Sequence, residues 1–401
     1  MNKKRLLMTT PWPKYVEEAK KEGFYLIALW DSNDNSNPAL NKITKFVDEL
    51  YLIDYQDEKK FESLIDWLHQ YEPLDYIYHL GRDEHMEMAY RIAQKYNLNV
   101  NPLDSIINMN DKFKMRYHLE KHNISTIKYK LLNSIEEVEE STSSFEFPFI
   151  IKPTSLSGSK GVMLIEKSED LFTWKEYIAN YDYSGEFLIE EYLEGKEVSI
   201  ETISYNGKHY IIGITDKIKT PPPRFIELGH IFPSSLESNI KLEIEKLVIE
   251  LLNSFNYRFG PVHTEVIITK EGPKIVELQP RLAGDRIPIL IEHATGMSPE
   301  KMIIQMLQNQ FPKINTSKSI SRIYYFQWES GRVREITGFK EVKEFNSVKS
   351  LEINVKRDDF ISTLNDSSNR PGYVIVSGNS YQEIETTLKR IEDTITVLYS
   401  D

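Results

Sequence analysis

The first hundred residues alternate short apolar runs with helix-forming stretches, and this alternation restricts the fold more than any other feature of the chain. Leu6-Leu7-Met8 precedes a helix predicted from about Pro13 to Lys21, and Gly23 stands where a left-handed glycine ends a helix. Residues 24–30 read as a buried strand closing at Asp31. A further strand over 76–80 is followed by a helix over about 84–96 and by the apolar stretch Leu98-Asn99-Val100. Strand and helix in such alternation give a parallel sheet covered by helices on both faces. The first strand is not followed by Gly-x-Gly-x-x-Gly, which argues against a dinucleotide site there.

The texture then changes. Residues 110–123 form a charged amphipathic helix that Asn110 is placed to cap. Longer β-rich segments follow: a strand at 147–153 runs into the polar loop Thr154 to Val162, and strands at 187–193 and 198–203 are joined across Glu194-Gly195-Lys196-Glu197. Thr220-Pro221-Pro222-Pro223 begins an irregular segment, 237–255 is a helix, and short strands from about Ile320 lead to a helix near 381–393. No internal repeat or low-complexity tract interrupts this order.

At 401 residues the chain is long enough for two or three domains. Its net charge of −12 argues against general binding to nucleic acid or anionic membranes, which both require cationic surfaces. The absence of cysteine removes disulfides, thiol nucleophiles and thiolate metal sites. The basic start Met1-Asn2-Lys3-Lys4-Arg5 precedes only three apolar residues, too few for a signal-peptide core, and no apolar run is long enough to span a bilayer. The expectation is a soluble, cytoplasmic protein.

Chemistry concentrates in three places. Glu265 lies twelve residues before Glu277, which is followed by Gln279 and Arg281, so two carboxylates, an amide oxygen and a guanidinium share one hairpin. Hard oxygen donors suit Mg²⁺ with substrate phosphates in its shell, and the arginine fork suits an adjacent anion. An exposed hairpin with a polar face accounts for the same residues. Lys152 ends a strand beside the loop Ser155 to Gly161, where Ser157, Ser159 and Gly161 offer backbone N–H groups and small hydroxyls to a phosphate; a mobile hairpin is the plainer reading. The loop lacks the Walker A pattern. Lys112, early in its helix, reads alone as part of a solvated charged face.

Taken in order, these elements resemble the ATP-grasp superfamily over essentially the whole chain: an Asn-Asp-Lys helix start, a strand ending in Lys-Pro, a serine-glycine loop, the Glu190-Glu191-Tyr192-Leu193 hinge with Glu197, and the Glu265, Glu277, Gln279, Arg281 hairpin. The resemblance implies a mixed α/β and α+β fold. Its parts would be a Rossmann-like parallel-sheet domain (1–100), an ATP-grasp domain (101–312, lid about 125–195) and a small β-rich C-terminal subdomain (313–401). It also implies that Lys112, Lys152 and the Ser157, Ser159 and Gly161 loop contact ATP phosphates, that Glu190, Glu191 and Leu193 hold adenine largely through backbone, and that Glu197 accepts from the ribose. Glu265, Glu277 and Gln279 would ligate Mg²⁺, or Mn²⁺ in its place, with Gln279 standing where the superfamily usually has asparagine.

A narrower resemblance is to L-amino-acid ligases and related carboxylate-amine ligases. It rests on Thr215-Asp216-Lys217, the proline-rich segment through Glu227 and His230 to Ser234, and Arg281-Leu282-Ala283-Gly284-Asp285-Arg286. It implies amide or peptide bond formation through an acyl phosphate, with small-molecule carboxylate and amine substrates and release of ADP and phosphate. Arg281 and Lys152 would be catalytic, and Glu227, His230, Arg281, Gly284 and Arg286 would bind substrate. Many relatives are homodimers. Two other readings compete: an ATP-grasp carboxylase using bicarbonate, and an ATP-binding regulatory protein without turnover.

Overall fold

The computed structural model describes residues 3–80, 83–141 and 145–400; Met1 and Asn2 of the basic start lie outside the described residues. The amino-terminal unit is a parallel sheet of β1 (Arg5–Thr9), β2 (Tyr25–Asp31), β3 (Glu49–Ile53) and β4 (Tyr76–His79), ordered β3-β2-β1-β4. Its period-two alternation sorts side chains cleanly. Leu6, Met8, Leu26, Ala28 and Trp30 pack in one core with residues of α1 (Pro13–Lys21), while Leu7, Ile27, Leu29 and Ile77 pack in another with α3 (Glu58–Tyr71) and α4 (Met86–Lys95). The short helix α2 (Pro38–Ile43) contributes Ile43 to the first core. Gly23, at φ +83°, ends α1 as expected, and the strands at 25–31 and 76–79 fall where the sequence placed them.

After α5 (Leu103–Asn110), helix α6 (Lys112–Lys121) begins one residue later than expected. Its cap is Asp111, whose carboxylate accepts from the Lys114 amide at 2.8 Å, and not Asn110. Asn110 closes the preceding helix and donates to the Asp83 carbonyl, so it is not available as a cap.

A four-stranded antiparallel lid follows, ordered β5-β8-β6-β7: β5 (Tyr129–Leu132), β6 (Phe149–Pro153), β7 (Met163–Ile165) and β8 (Phe187–Glu191). Its core holds Phe149, Phe187 and Trp174, the last from α8 (Asp170–Ile178), alongside Val138 of α7 (Ile135–Ser141). The chain leaves the lid through 192–195. A Cβ at Gly195 would stand 2.1 Å from the Ile268 carbonyl oxygen, so only glycine lets the hinge pass this close to the central sheet.

The central sheet is antiparallel and eight-stranded. It contains β9 (Lys196–Tyr205), β10 (Lys208–Lys219), β11 (Glu227–Phe232), β12 (Gly260–Thr269), β13 (Gly272–Gln279), β14 (Ile320–Tyr325), β16 (Val348–Ile353) and β18 (Gly372–Gly378), ordered β13-β12-β9-β10-β11-β14-β18-β16. The segment after the prolines, expected to be irregular, therefore becomes a ladder strand from Glu227 onward, paired with β10 and β14. Likewise, the strands of the C-terminal unit extend this sheet. β15 (Gly331–Thr337), β17 (Phe360–Ile361) and β19 (Thr396–Tyr399) form a separate small sheet, while α12 (Phe339–Lys343) and α13 (Tyr381–Thr394) pack in the C-terminal core. Helix α9 (Ser238–Ser254) covers one face of the central sheet, where Val198, Ile200, Ile214, Val262, Val266 and Leu278 meet Ile244, Val248 and Leu251. Each such side chain contributes about 1.5–3 kcal/mol on burial. Helices α10 (Ile287–Thr295) and α11 (Pro299–Leu307) tie the sheet to the amino-terminal core. Among the described residues, no helix is long and apolar enough to cross a membrane.

Candidate active site

The alternation that buries Val198 and Ile200 turns Glu197, Ser199 and Glu201 to the opposite face. In the ladder Glu265 pairs with Glu277 and with Ser199, His263 with Gln279 and with Glu201, and Lys217 with His230. The central sheet thus has an apolar face under α9 and a charged face under the lid. Between sheet and lid lies a cavity of about 590 Å³. Its walls include Lys112, Lys152, Ser157, Ser159, Glu190, Glu191, Leu193, Glu197, Glu227, His230, Glu265, Glu277, Gln279, Arg281 and Gly284. That volume suits a small organic ligand.

One end combines an apolar slot with buried charge. Ile150, Leu193 and Ile267 line it, and Tyr192 stacks toward Phe225 at 6.3 Å between centroids. Beneath the slot Glu190 accepts from Arg116 at 2.5 Å and from Lys152 at 2.8 Å, with all three side chains buried. Burial alone would raise the Glu190 carboxyl, but the two cations outweigh it and bring it down to about 2. Burial pulls Lys152 below the usual lysine range, and Glu190 offsets only part of that. Arg116 also donates to the carbonyls of Ile275 and Val276, so one guanidinium joins the lid strand to the β13 hairpin. The Glu190 side chain is therefore committed to this triad, leaving the hinge backbone and Leu193 facing the slot. Lys112 donates to the carbonyls of Thr154 and Leu156 and lies 3.5 Å from Glu277.

The middle of the cavity is a row of alternating charge. Lys217 lies 2.8 Å from Glu197, 2.5 Å from Glu265 and 3.6 Å from Glu227. Burial would depress this lysine, yet the three carboxylates carry it well above its ordinary value. The same lysine, with His263, holds Glu265 far below the carboxylate range against the effect of burial. His263 sits between Glu201 at 2.8 Å and Glu265 at 3.4 Å, and these acids overcome burial to lift it to about 9. Glu197 is paired with both Lys217 and Lys219. Among the described residues, no group of three or more His, Asp or Glu side chains forms a ready-made metal cage. Glu265 and Glu277 face each other across the β12–β13 hairpin, with Gln279 two residues along the same face. Two carboxylates and an amide oxygen opening into a cavity fit a hard divalent ion that keeps water and phosphate in its shell. The Gln279 amide nitrogen donates to Glu277 at 2.9 Å, which leaves its oxygen on the outer side.

The far end differs in make-up. The Arg281 fork grips Asp83 of the amino-terminal unit at 2.6 and 2.9 Å. Glu227 accepts from Ser367 at 2.8 Å, and His230 Nε2 lies 3.2 Å from Asp285, its buried Nδ1 having no hydrogen-bond partner among the described residues.

Two expected residues are not brought to the cavity wall. Gly161 lies behind it, its carbonyl accepting from Trp174 at 3.0 Å. Arg286 turns away, its guanidinium 3.8 Å from the Tyr373 ring and 3.7 Å from Glu352, because the backbone at 285 and 286 is left-handed and points successive side chains apart. Four site residues carried no assignment from the sequence: Arg116, Lys217, His263 and Asp285. Strand periodicity was the available signal for two of them, since Lys217 and His263 share the sheet face of Glu197 and Glu265.

Comparison with known proteins agrees with this geometry. Residues 145–289 match the ATP-grasp domain family and residues 324–400 match the L-amino acid ligase C-terminal domain 2. The alanine–anticapsin ligase of Bacillus subtilis (strain 168) is 30% identical over 227 residues, covering 50% of this chain and 47% of that protein. The dapdiamide A synthase of Enterobacter agglomerans is 20% identical, covering 71% and 70%. The crystal structure of an L-amino acid ligase from Bacillus licheniformis superposes with a TM-score of 0.83 over the full length of both chains at 21% identity. The chain spans about half the length of the alanine–anticapsin ligases it matches. Residues 145–289, which carry much of the lid and of the charged antiparallel sheet, thus match the ATP-grasp domain family, and the fold of the whole chain is that of the L-amino acid ligase structure. The C-terminal match makes the L-amino acid ligases the group the chain resembles.

Proposed function

We propose that this protein is an ATP-dependent carboxylate-amine ligase that joins an amino acid to an amine, releasing ADP and phosphate. The observation that carries this is the convergence on one cavity of Lys112 and Lys152, the Glu265–Glu277–Gln279 face and Arg281, beside an end lined by Glu227, His230 and Asp285. Adenine would lie in the slot of Ile150, Leu193 and Ile267, with the hinge backbone reading its edge and Glu197 accepting from the ribose.

Glu265, Glu277 and Gln279 would hold Mg²⁺, which when bound would neutralise charge on the nucleotide phosphates. Lys152 and Lys112 stabilise charge on the transferred phosphoryl group. Arg281, released from Asp83, aligns the substrate carboxylate as its oxygen attacks the γ-phosphorus and ADP departs. Amine attack on the acyl phosphate then forms a tetrahedral oxyanion beside Arg281, and collapse expels phosphate. The Ser157 and Ser159 loop covers the phosphates and excludes water that would hydrolyse the intermediate. The cysteine-free composition supports a cytoplasmic setting.

The match of residues 324–400 favours this ligase reading over a bicarbonate-using carboxylase. Phosphate release assayed with ATP, Mg²⁺ and pairs of amino acids tests it. The expected result is ADP and amide formed in equal amounts with at least one pair, and lost in Glu277→Ala. ATP binding without turnover across the panel, or bicarbonate-dependent ADP release without amine, would overturn it.

A further inference from the structure

The cavity end that holds Glu227 and His230 is completed by a short segment of the C-terminal unit. The 3₁₀ turn Ser367–Asn369 brings Ser367 to Glu227 at 2.8 Å and is followed by Arg370. Arg370 grips Asp285 with both terminal nitrogens, at 2.6 and 2.7 Å, while its Nε donates to the Ser367 carbonyl at 2.7 Å. Its guanidinium lies 3.7 Å from the Tyr325 ring. A forked, stacked and largely buried arginine has one geometry available, and lysine cannot copy it.

Asp285 is an unusual residue to grip. It and Arg286 both adopt positive φ, 47° and 63°, although neither is glycine. Such turns are strained and persist only where the surroundings hold them. The holders here are Arg370 on Asp285 and Tyr373 under Arg286. The turn places the Asp285 carboxylate 3.2 Å from His230 Nε2, inside the cavity and on the side away from the adenine slot.

We propose that Arg370 is a positioning residue for the amino-acid end of the site: by fixing Asp285 in its left-handed turn, it orients His230 and sets the acidic wall against which the substrate is bound. This rests on the ligase reading above. Among the described residues, Arg370 donates to Asp285 and to the Ser367 and Glu227 carbonyls and to none of Lys112, Lys152 or Glu190, so its main effect is expected on the amino-acid substrate. The same segment also touches the lid, through Tyr177 to the Asn365 carbonyl at 3.0 Å and Tyr181 to Asp366 at 2.7 Å. The segment thereby bridges this wall and the lid.

The test compares wild type, Arg370→Lys, Arg370→Ala, Asp285→Asn and the double variant Asp285→Asn/Arg370→Ala. Steady-state kinetics with the best amino-acid pair are measured alongside ADP affinity by calorimetry. Arg370→Ala is expected to raise the amino-acid KM about tenfold or more while ADP affinity and the ATP KM stay within about twofold, and Arg370→Lys to recover only part of the loss. Because Arg370 acts through Asp285, the double variant should lose no more than the worse single variant. Additive losses, full recovery with lysine, or a parallel fall in ADP affinity would overturn the positioning role. Wild-type protein that binds ADP yet turns over no pair overturns the ligase reading instead, and is told apart by failing before any variant is made.

Discussion

The two ends of the cavity are built in contrasting ways. At the nucleotide end, a buried cation–anion triad spans lid and central sheet: Arg116, Lys152 and Glu190 are nearly inaccessible, and their hydrogen bonds go to fixed backbone or to one another. At the opposite end, Glu227 and Asp285 are held by Ser367 and Arg370 of the C-terminal unit and Arg281 by Asp83 of the amino-terminal unit, while His230 rests on Asp285. The first is a buried fixture within the lid and central sheet; the second depends on partners far along the chain.

The largest effect that would break this contrast is expected at Lys152. Lys152→Ala should lower ADP formation by about 10²–10³-fold through loss of charge stabilisation on the phosphoryl group. Activity close to wild type would remove the triad from the catalytic account. Next comes Glu190→Gln, which leaves two buried cations without their anion and should cost about 3–5 kcal/mol in urea unfolding. The Glu190 carboxyl stands at about 2 in the folded protein, below its ordinary value. Its contribution is therefore complete above about pH 4.5 and fades as pH falls toward 2. The wild type should lose stability through that window, and Glu190→Gln should show a flatter profile.

At the other end Glu227→Gln should raise the amino-acid KM about tenfold, roughly 1.4 kcal/mol, with the ATP KM unchanged. Equal shifts in both constants would erase the division between the ends. Smallest is Gln279→Asn, which keeps an amide oxygen on the hairpin and should alter turnover by no more than about twofold, below 0.5 kcal/mol in barrier.

Legibility in the sequence follows the same division. Lys152 was readable because it ends a strand before the serine-glycine loop, and Glu277, Gln279 and Arg281 because they stand at alternate positions of one strand end. The parallel sheet was readable from its alternation of strand and helix, though β3 and α3 between Asp31 and Tyr76 were passed over. Long-range pairing hid the rest. Arg116 meets Glu190 across 74 positions, and Arg370 meets Asp285 across 85. Strand β11 was masked by the three prolines ahead of it, by its polar residues Glu227 and His230 and by Gly229, which pair because the ladder on both sides accepts them. Arg286 shows the opposite failure: a motif position matched while the backbone turned its side chain outward.

The junction of β11 with β14 limits how this chain can be recombined with another. The ladder from Gly229↔Tyr324 to Phe232↔Ser321 crosses the place after residue 312 where a modular reading would cut the chain. A Cβ at Gly229 would stand 2.4 Å from the Ile323 carbonyl oxygen, so the strands meet there without room for any side chain. A chimera that borrows the last ninety or so residues from a protein of similar fold would inherit that seam, and would need a bare backbone at its far side before any pocket residue mattered.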